Sequence, residues 1–471
     1  MRENLNYIST RGEVEKLGFE DVVLAGLARD GGLYVPEIWP VLSPDTIRSF
    51  AGKSFAEIAV EVIHPFTGDE ISRDDLSRMA KDAYETFGTT DVTPLHPLKP
   101  GLTILELFHG PTLAFKDVAM QLLARLMDHV LAKRGRRATI VGATSGDTGG
   151  AAIEAFRTSK RVDVVILFPE GRVSDVQRRM MTTPAEKNVH ALAIRGTFDD
   201  CQALVKAMFN DHTFRDRVEL SGVNSINWAR IVAQVTYYFY AVSRLGDGKN
   251  GAPTFAVPTG NFGDIFAGYV AKRMGLPIAK LIIASNENDI LPRAVATGVY
   301  AMQDVIATSS PSMDIQISSN FERYLFEASG RDADLVRGLM TSLAATGSFE
   351  LGRLAPILQS DFAAVSASEA DVADCIRETQ ARYGYLLDPH TACAFVAAER
   401  AAEGDTIVLS TAHPAKFPDA IEAITRQRPP LPPGFEHLMS DEEHFDVRPN
   451  SLSAVEEFVL NHSRAASGVS R

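Results

Sequence analysis

The chain has little cysteine. Cys201, Cys375 and Cys393 are widely spaced and form no CxxC pair, so neither a disulfide framework nor a cysteine-based zinc site is indicated. No apolar run is long enough to cross a bilayer. The opening MRENLNYISTRGEVEKLGFED carries acids where a secretory leader needs an apolar core, so a cytoplasmic protein without membrane association is expected. Positive charge is in deficit. A formal net charge of −13 argues against a general nucleic-acid binder and requires any anionic ligand to find a local basic pocket. HExxH, a Ser/His/Asp set, GxGxxG and the Lys-Ser/Thr of a P-loop are also missing, which disfavours metal, acyl-transfer and nucleotide chemistry.

What is present has the composition of a globular protein, 45% hydrophobic and 23% charged, and 471 residues call for two or three domains. Residues 1–97 read as a mainly helical N-terminal domain; FEDVVLAGLARDGG predicts a helix stopped by Gly31-Gly32. DVTPLHPLKPG (Asp91 to Gly101) reads as a link. Residues 98–428 then alternate short apolar strands with amphipathic helices: LTILELF, ATIVGA, VDVVILFP, HALAIRG, PTFAVP and KLIIAS are the strands. This predicts an α/β catalytic region with largely parallel sheets and flanking helices, embedding a smaller α/β subdomain at about 130–230. Residues 429–471 form a C-terminal extension that opens on the proline-rich RPPLPPGFEHL, and its last residues, RAASGVSR, are expected to be loose.

Two glycine-rich loops lie where α/β sheets bind ligands. In PTGNFGDIFAG the amides of Gly260, Asn261, Phe262 and Gly263 can converge on a phosphate at a helix N-terminus; a plain strand-to-helix turn needs the same glycines. In GATSGDTGGAA, Thr144, Ser145 and Thr148 suit a second anion or simply cap the helix. SGVNSINWARIVAQV adds Asn224, Ser225 and Arg230, the last suited to bidentate phosphate binding or to an exposed helix start. The histidines of DPHTACAF and STAHPAKFPDA fit structural roles.

Lys116, in HGPTLAFKDVAM, is a lysine in small apolar company at the start of a helix, where the dipole prefers acids. Desolvation and the positive helix end both favour the neutral amine that imine formation needs, although a snorkelling lysine is the commoner case. Combined with two phosphate-type loops, it points to a pyridoxal 5′-phosphate enzyme.

HGPTLAFKD, TSGDTG, NSINWAR, PTGNFGD, DPHTA and STAHPAKF, in this order, resemble the threonine synthases, fold type II pyridoxal-phosphate enzymes, and the match covers nearly the whole chain. YISTRG and DGGLYVPE resemble the N-terminal domain of the bacterial and fungal branch. The resemblance implies conversion of O-phospho-L-homoserine and water to L-threonine and phosphate, by γ-elimination and then addition of water at the β-carbon. Lys116 would hold the cofactor as a Schiff base and then shuttle protons, and Gly260, Asn261, Phe262 and Gly263 would bind its phosphate. Thr411 would face the pyridine nitrogen and leave it largely unprotonated. Thr144, Ser145, Thr148, Asn224, Ser225 and Arg230 would hold the substrate's carboxylate and phosphate. Asp147 would stand beside the cofactor's 3′-oxygen, where many relatives carry asparagine; a carboxylate there repels a phenolate unless a proton is shared. No metal is implied. A monomer is expected, with a dimer the alternative. Rival readings are a serine or threonine dehydratase, a phosphoamino-acid phospho-lyase, and an inactive homologue.

Overall fold

The computed structural model describes residues 5–245 and 251–466. In the N-terminal part β1 (Tyr7–Ser9) pairs antiparallel with β2 (Tyr34–Pro36), Ile8 opposite Val35. The Tyr7 hydroxyl ties this pair to the helix Phe55–Thr67 by donating to the Phe66 carbonyl at 2.8 Å. That helix opens on a Ser54/Glu57 capping box, with each residue bonding the other's backbone amide. The helix Phe19–Ala25 stops before Gly31-Gly32, at Gly26. Gly26 turns with φ +66°, and a side chain there would meet the Gly222 carbonyl oxygen at 3.0 Å. Close packing against a distant loop thus ends the helix earlier than its periodicity indicates.

DVTPLHPLKPG is more than a link. It contains β3 (Leu95–Lys99), paired antiparallel with β4 (Leu102–Glu106) at the sheet edge. An edge strand leaves one row of backbone groups without a ladder partner, so Pro97 is tolerated there. With β9 (Thr254–Pro258), β10 (Leu281–Ser285), β13 (Phe362–Ser366) and β14 (Thr406–Ser410), these strands make a six-stranded sheet in the order β13-β10-β9-β14-β4-β3, parallel except for β3. A second, parallel sheet runs β15-β7-β6-β5-β8, from β5 (Ala138–Ala143), β6 (Val162–Pro169), β7 (Val189–Arg195), β8 (Leu220–Ser221) and β15 (Asp446–Pro449). Every residue of β6, β9, β10 and β14 is buried, as strands covered by helices on both faces require. A small antiparallel pair, β11 (Val299–Ala301) and β12 (Ser348–Glu350), stands apart from both sheets.

The C-terminal extension is built into the second sheet. Besides β15 it supplies the helix Leu452–His462, whose Val455, Phe458 and Val459 pack with Leu204, Val205 and Met208. The start of the tail expected to be loose is held: Arg464 donates to both carboxylate oxygens of buried Asp163, from its amide at 2.7 Å and Nε at 2.6 Å. Residues 467–471 lie outside the described residues. No helix among the described residues is long and apolar enough to cross a membrane.

The loops bearing Gly260, Thr411 and Lys116 follow β9, β14 and β4, three neighbouring strands of one sheet. The loop bearing Asp147 follows β5, in the other sheet.

Candidate active site

A locked turn positions Lys116. Leu113 takes φ +57°, and the buried Asp117 carboxylate accepts from the Thr112 amide at 2.8 Å and hydroxyl at 2.6 Å. A Cβ at Gly110 would fall 2.5 Å from that same aspartate, so only glycine closes the turn. The chain then runs beside the loop after β14, with the Phe115 amide donating to the Thr411 carbonyl at 2.8 Å. The helix Lys116–Lys133 begins at the lysine itself, which is 8% exposed. Its Nζ lies 3.2 Å from Asp147 Oδ2 and 3.4 Å from Ser312 Oγ. Burial pushes the amine below its ordinary value; Asp147 opposes that, while Lys416 and Arg230 add to it.

Asp147 opens the helix Asp147–Phe156 and divides its oxygens between two sets of partners. Oδ1 is 2.8 Å from Lys416 Nζ and accepts from Gln177 Nε2 at 2.9 Å. Oδ2 faces Lys116 and accepts from Ser312 Oγ at 3.2 Å. Burial works to raise this carboxyl, but Lys116, Lys416 and His390 hold it well below the usual carboxylate range. Lys416, Gln177 and Ser312 escape a sequence reading. Lys416 stands in view in STAHPAKF, yet its partners come from other elements and leave no local pattern.

Among the described residues the amides of Gly260, Asn261, Phe262 and Gly263 donate to no protein acceptor. They cluster at the start of the helix Gly263–Arg273, and Phe262 takes the left-handed φ of +61° that curls them together. A Cβ on Gly260 would stand 3.0 Å from the Ser312 carbonyl oxygen and 3.2 Å from Met313 Cα, so this cradle has no room for a side chain. Four orphan donors at a helix N-terminus fit a phosphate monoester.

A segment that sequence reasoning passed over, Ser318–Arg323, ties this cradle to the NSINWAR loop. Asn320 Nδ2 donates to the carbonyls of Asn261 at 3.0 Å and Ser225 at 3.1 Å. Buried Arg323 bonds Asn320 and donates to the carbonyls of Tyr34 at 3.0 Å and Ile226 at 2.6 Å, drawing in the N-terminal part. The Ser225 hydroxyl lies 3.5 Å from that of Ser319, which donates to Asn261 Oδ1 at 3.2 Å.

Arg230 is 2% exposed and, among the described residues, has no carboxylate partner: Nη1 donates to the Val223 carbonyl at 3.1 Å and Nε has no partner. Burial pushes its guanidinium down to about 10. The Thr144 hydroxyl accepts from the Gly146 and Gly149 amides, both at 2.9 Å, which shapes its own loop and leaves only the hydroxyl proton for a ligand. Ser145 and Thr148 are half-buried in that loop, and Asn224 Oδ1 approaches Gly142 at its base. Thr411 is buried, its amide donating to Thr391 Oγ1 at 3.2 Å. His390 is held by Asp388 at 2.9 Å and by the Ser312 amide, and His413 caps the turn Pro414–Lys416. No group of three or more His, Cys, Asp or Glu among the described residues is arranged to hold a metal ion.

Three family models match the chain: "Threonine synthase N terminus" over residues 6–84, "Pyridoxal-phosphate dependent enzyme" over 85–411, and "Threonine synthase, C-terminal" over 391–459. The chain is 48% identical to the threonine synthase of Pseudomonas aeruginosa, covering 97% of this chain and 98% of that one. It is 41% identical to that of Schizosaccharomyces pombe, covering 99% and 100%. Among solved structures, pyridoxal-phosphate-bound threonine synthase from Brucella melitensis matches with a TM-score of 0.95 at 57% identity, covering 98% of this chain and 100% of that chain. A threonine deaminase from Solanum lycopersicum, at 13% identity and a TM-score of 0.51 over 83% of this chain and 97% of that one, shares the fold alone.

Proposed function

The chain belongs to the threonine synthase family of pyridoxal-phosphate enzymes, and from that premise we propose that it converts O-phospho-L-homoserine and water to L-threonine and phosphate. It is a lyase whose cofactor is pyridoxal phosphate. When bound, that group supplies an electron sink for bonds broken at the substrate's α-carbon.

The chain's own residues do the rest. The amides of Gly260, Asn261, Phe262 and Gly263 would hold the cofactor's phosphate, and Thr411 would supply a neutral hydroxyl for its ring nitrogen. Lys116, shifted by burial towards the neutral amine, is the nucleophile. Its Nζ would also be the base that takes the substrate's α-proton and the acid that returns a proton. Arg230, with Asn224, Ser225 and the hydroxyls of Thr144, Ser145 and Thr148, holds the substrate's anionic groups and stabilises phosphate as it leaves.

One observation supports the phosphorylated substrate: Arg230 is a buried cation whose field reaches Lys116, and among the described residues no carboxylate pairs with it. Such a group is costly unless a ligand supplies the counter-charge; a phosphorylated amino acid brings a phosphate besides its carboxylate, whereas free serine or threonine brings the carboxylate alone.

The test measures phosphate release from O-phospho-L-homoserine and ammonia release from threonine on one preparation, then maps the lysine trapped by borohydride. Phosphate release is expected to dominate, with the label on Lys116. Dominant ammonia release would make the enzyme a dehydratase, and label on another lysine would overturn the role given to Lys116.

A further inference from the structure

A second buried lysine, Lys416, also meets Asp147. Lys416 is 1% exposed, and its Nζ has two acceptors, the Thr112 carbonyl at 2.6 Å and Asp147 Oδ1 at 2.8 Å. It sits at the end of the short turn Pro414–Lys416, fixed there because Ser174 Oγ donates to its carbonyl at 2.9 Å. Gln177 occupies the same carboxylate oxygen at 2.9 Å. With Oδ1 doubly held, Oδ2 is left to face Lys116 and Ser312.

We propose that Lys416 is a positioning residue of the active site: its ammonium is the fixed counter-charge of Asp147, and it aims that carboxylate's Oδ2 at Lys116. The proposal rests on the pyridoxal-phosphate reading above. Its logic is charge balance in a dry site. Lys116 gains and loses a proton as it works, so it cannot balance Asp147 throughout. With Lys416 ionised, the three side chains sum to zero when Lys116 is neutral and to one positive charge when it is protonated. Burial penalises the second state, so Lys416 favours the reactive amine. Without Lys416 the preference reverses, because neutral Lys116 would leave Asp147 as an unbalanced buried anion. The other charged groups facing the pair do not replace it. Arg230 acts on Lys116 from the NSINWAR side, His390 is engaged by Asp388, and Asp117 is bound to Thr112 on the far side of the Lys416 contact.

The test compares wild type, Lys416→Met, Asp147→Asn and the double variant as purified holoenzymes. The readouts are the pH titration of the visible band of lysine-bound cofactor and cofactor retention on dialysis. Lys416→Met should raise the band's titration midpoint by about one pH unit or more and weaken retention about tenfold. Asp147→Asn should lower the midpoint, because Lys416 is then unopposed. In the double variant a neutral amide needs no counter-charge, so the midpoint should return to within about half a unit of wild type.

A role confined to bracing the Thr112 turn predicts no such rescue, and a double variant as displaced as Lys416→Met overturns the proposal. So does an unmoved midpoint in Lys416→Met. Should Lys416→Met fail to fold, Asp147→Asn decides: a midpoint unchanged or raised is a refutation. A wild type without the visible band defeats the cofactor reading itself, whereas a normal wild type with the wrong variant pattern defeats only the role of Lys416.

Discussion

Lys116 and Asp147 each open a helix, and their side chains meet at 3.2 Å although the helices follow strands of different sheets. The contact therefore joins the two sheets at the carboxyl ends of their strands. A helix start suits Asp147, whose carboxylate faces the positive end of its helix, and works against a charged Lys116. One geometry thus stabilises the anion and weakens the cation.

Gly260 tests the phosphate cradle. In Gly260→Ala the new methyl meets backbone atoms at 3.0 and 3.2 Å, which cannot swing aside as a side chain would. Cofactor affinity should fall at least about tenfold, corresponding to the roughly 1–3 kcal/mol of overpacking, with secondary structure kept. Equilibrium dialysis and circular dichroism measure the two. Unchanged affinity would remove this loop from the cofactor site.

Arg230 should trade stability for function. Arg230→Met removes a buried cation that has no acid partner among the described residues and keeps much of its apolar volume. The ligand-free protein should be as stable or more so, by up to about 2 kcal/mol, while kcat/KM on the phosphorylated substrate falls about 100-fold or more. Thermal melts and steady-state kinetics report both. A variant with a lower Tm and intact kinetics would show Arg230 to be a structural residue.

Asp264 gives the protein a pH dependence of its own. It is buried one residue beyond the cradle; the Tyr237 and Tyr238 hydroxyls donate to Oδ1, and among the described residues Oδ2 has no hydrogen-bond partner. Burial outweighs those bonds and pushes its carboxyl up to about 7, from 3.8. The folded state thus keeps a proton that the unfolded chain releases above about pH 4. The stability this supplies is complete below that pH and is lost as pH rises to about 7. Asp264→Asn cannot ionise, so its Tm minus that of wild type should climb between pH 4.5 and 7.5, by the equivalent of up to about 4 kcal/mol. A difference independent of pH would contradict the assignment.

Arg464 pins the C-terminal extension. Asp163 is 1% exposed within β6, and Arg464 supplies two of its hydrogen bonds and its cation. Arg464→Ala leaves a buried carboxylate without its cation and should destabilise the fold by about 2–4 kcal/mol, whereas Asp163→Asn with Arg464→Ala should recover part of the loss. Urea denaturation of the three proteins measures this, and equal midpoints would show that the tail contributes nothing.

Much of this was legible in the residues. Strands such as VDVVILFP read as apolar runs, broken here only by Asp163, because parallel strands are buried on both faces. The PTGNFGD and HGPTLAFKD loops announce themselves because glycine is needed where backbone must bend sharply or pack closely. Such features depend on neighbours within a few residues. Their order along the chain gave the family resemblance, and with it the parts of a cofactor site.

What the tertiary structure decided is pairing. The helix after Phe19 ends at Gly26 because Gly222 is packed against it, and Pro97 lies in a strand because that strand is an edge. Lys416, Gln177 and Ser312 converge on Asp147 from separate elements, and Asn320 binds two loops at once. A sequence shows that a lysine or an aspartate is present. Whether its charge is balanced depends on distance and burial, and only the folded chain sets those.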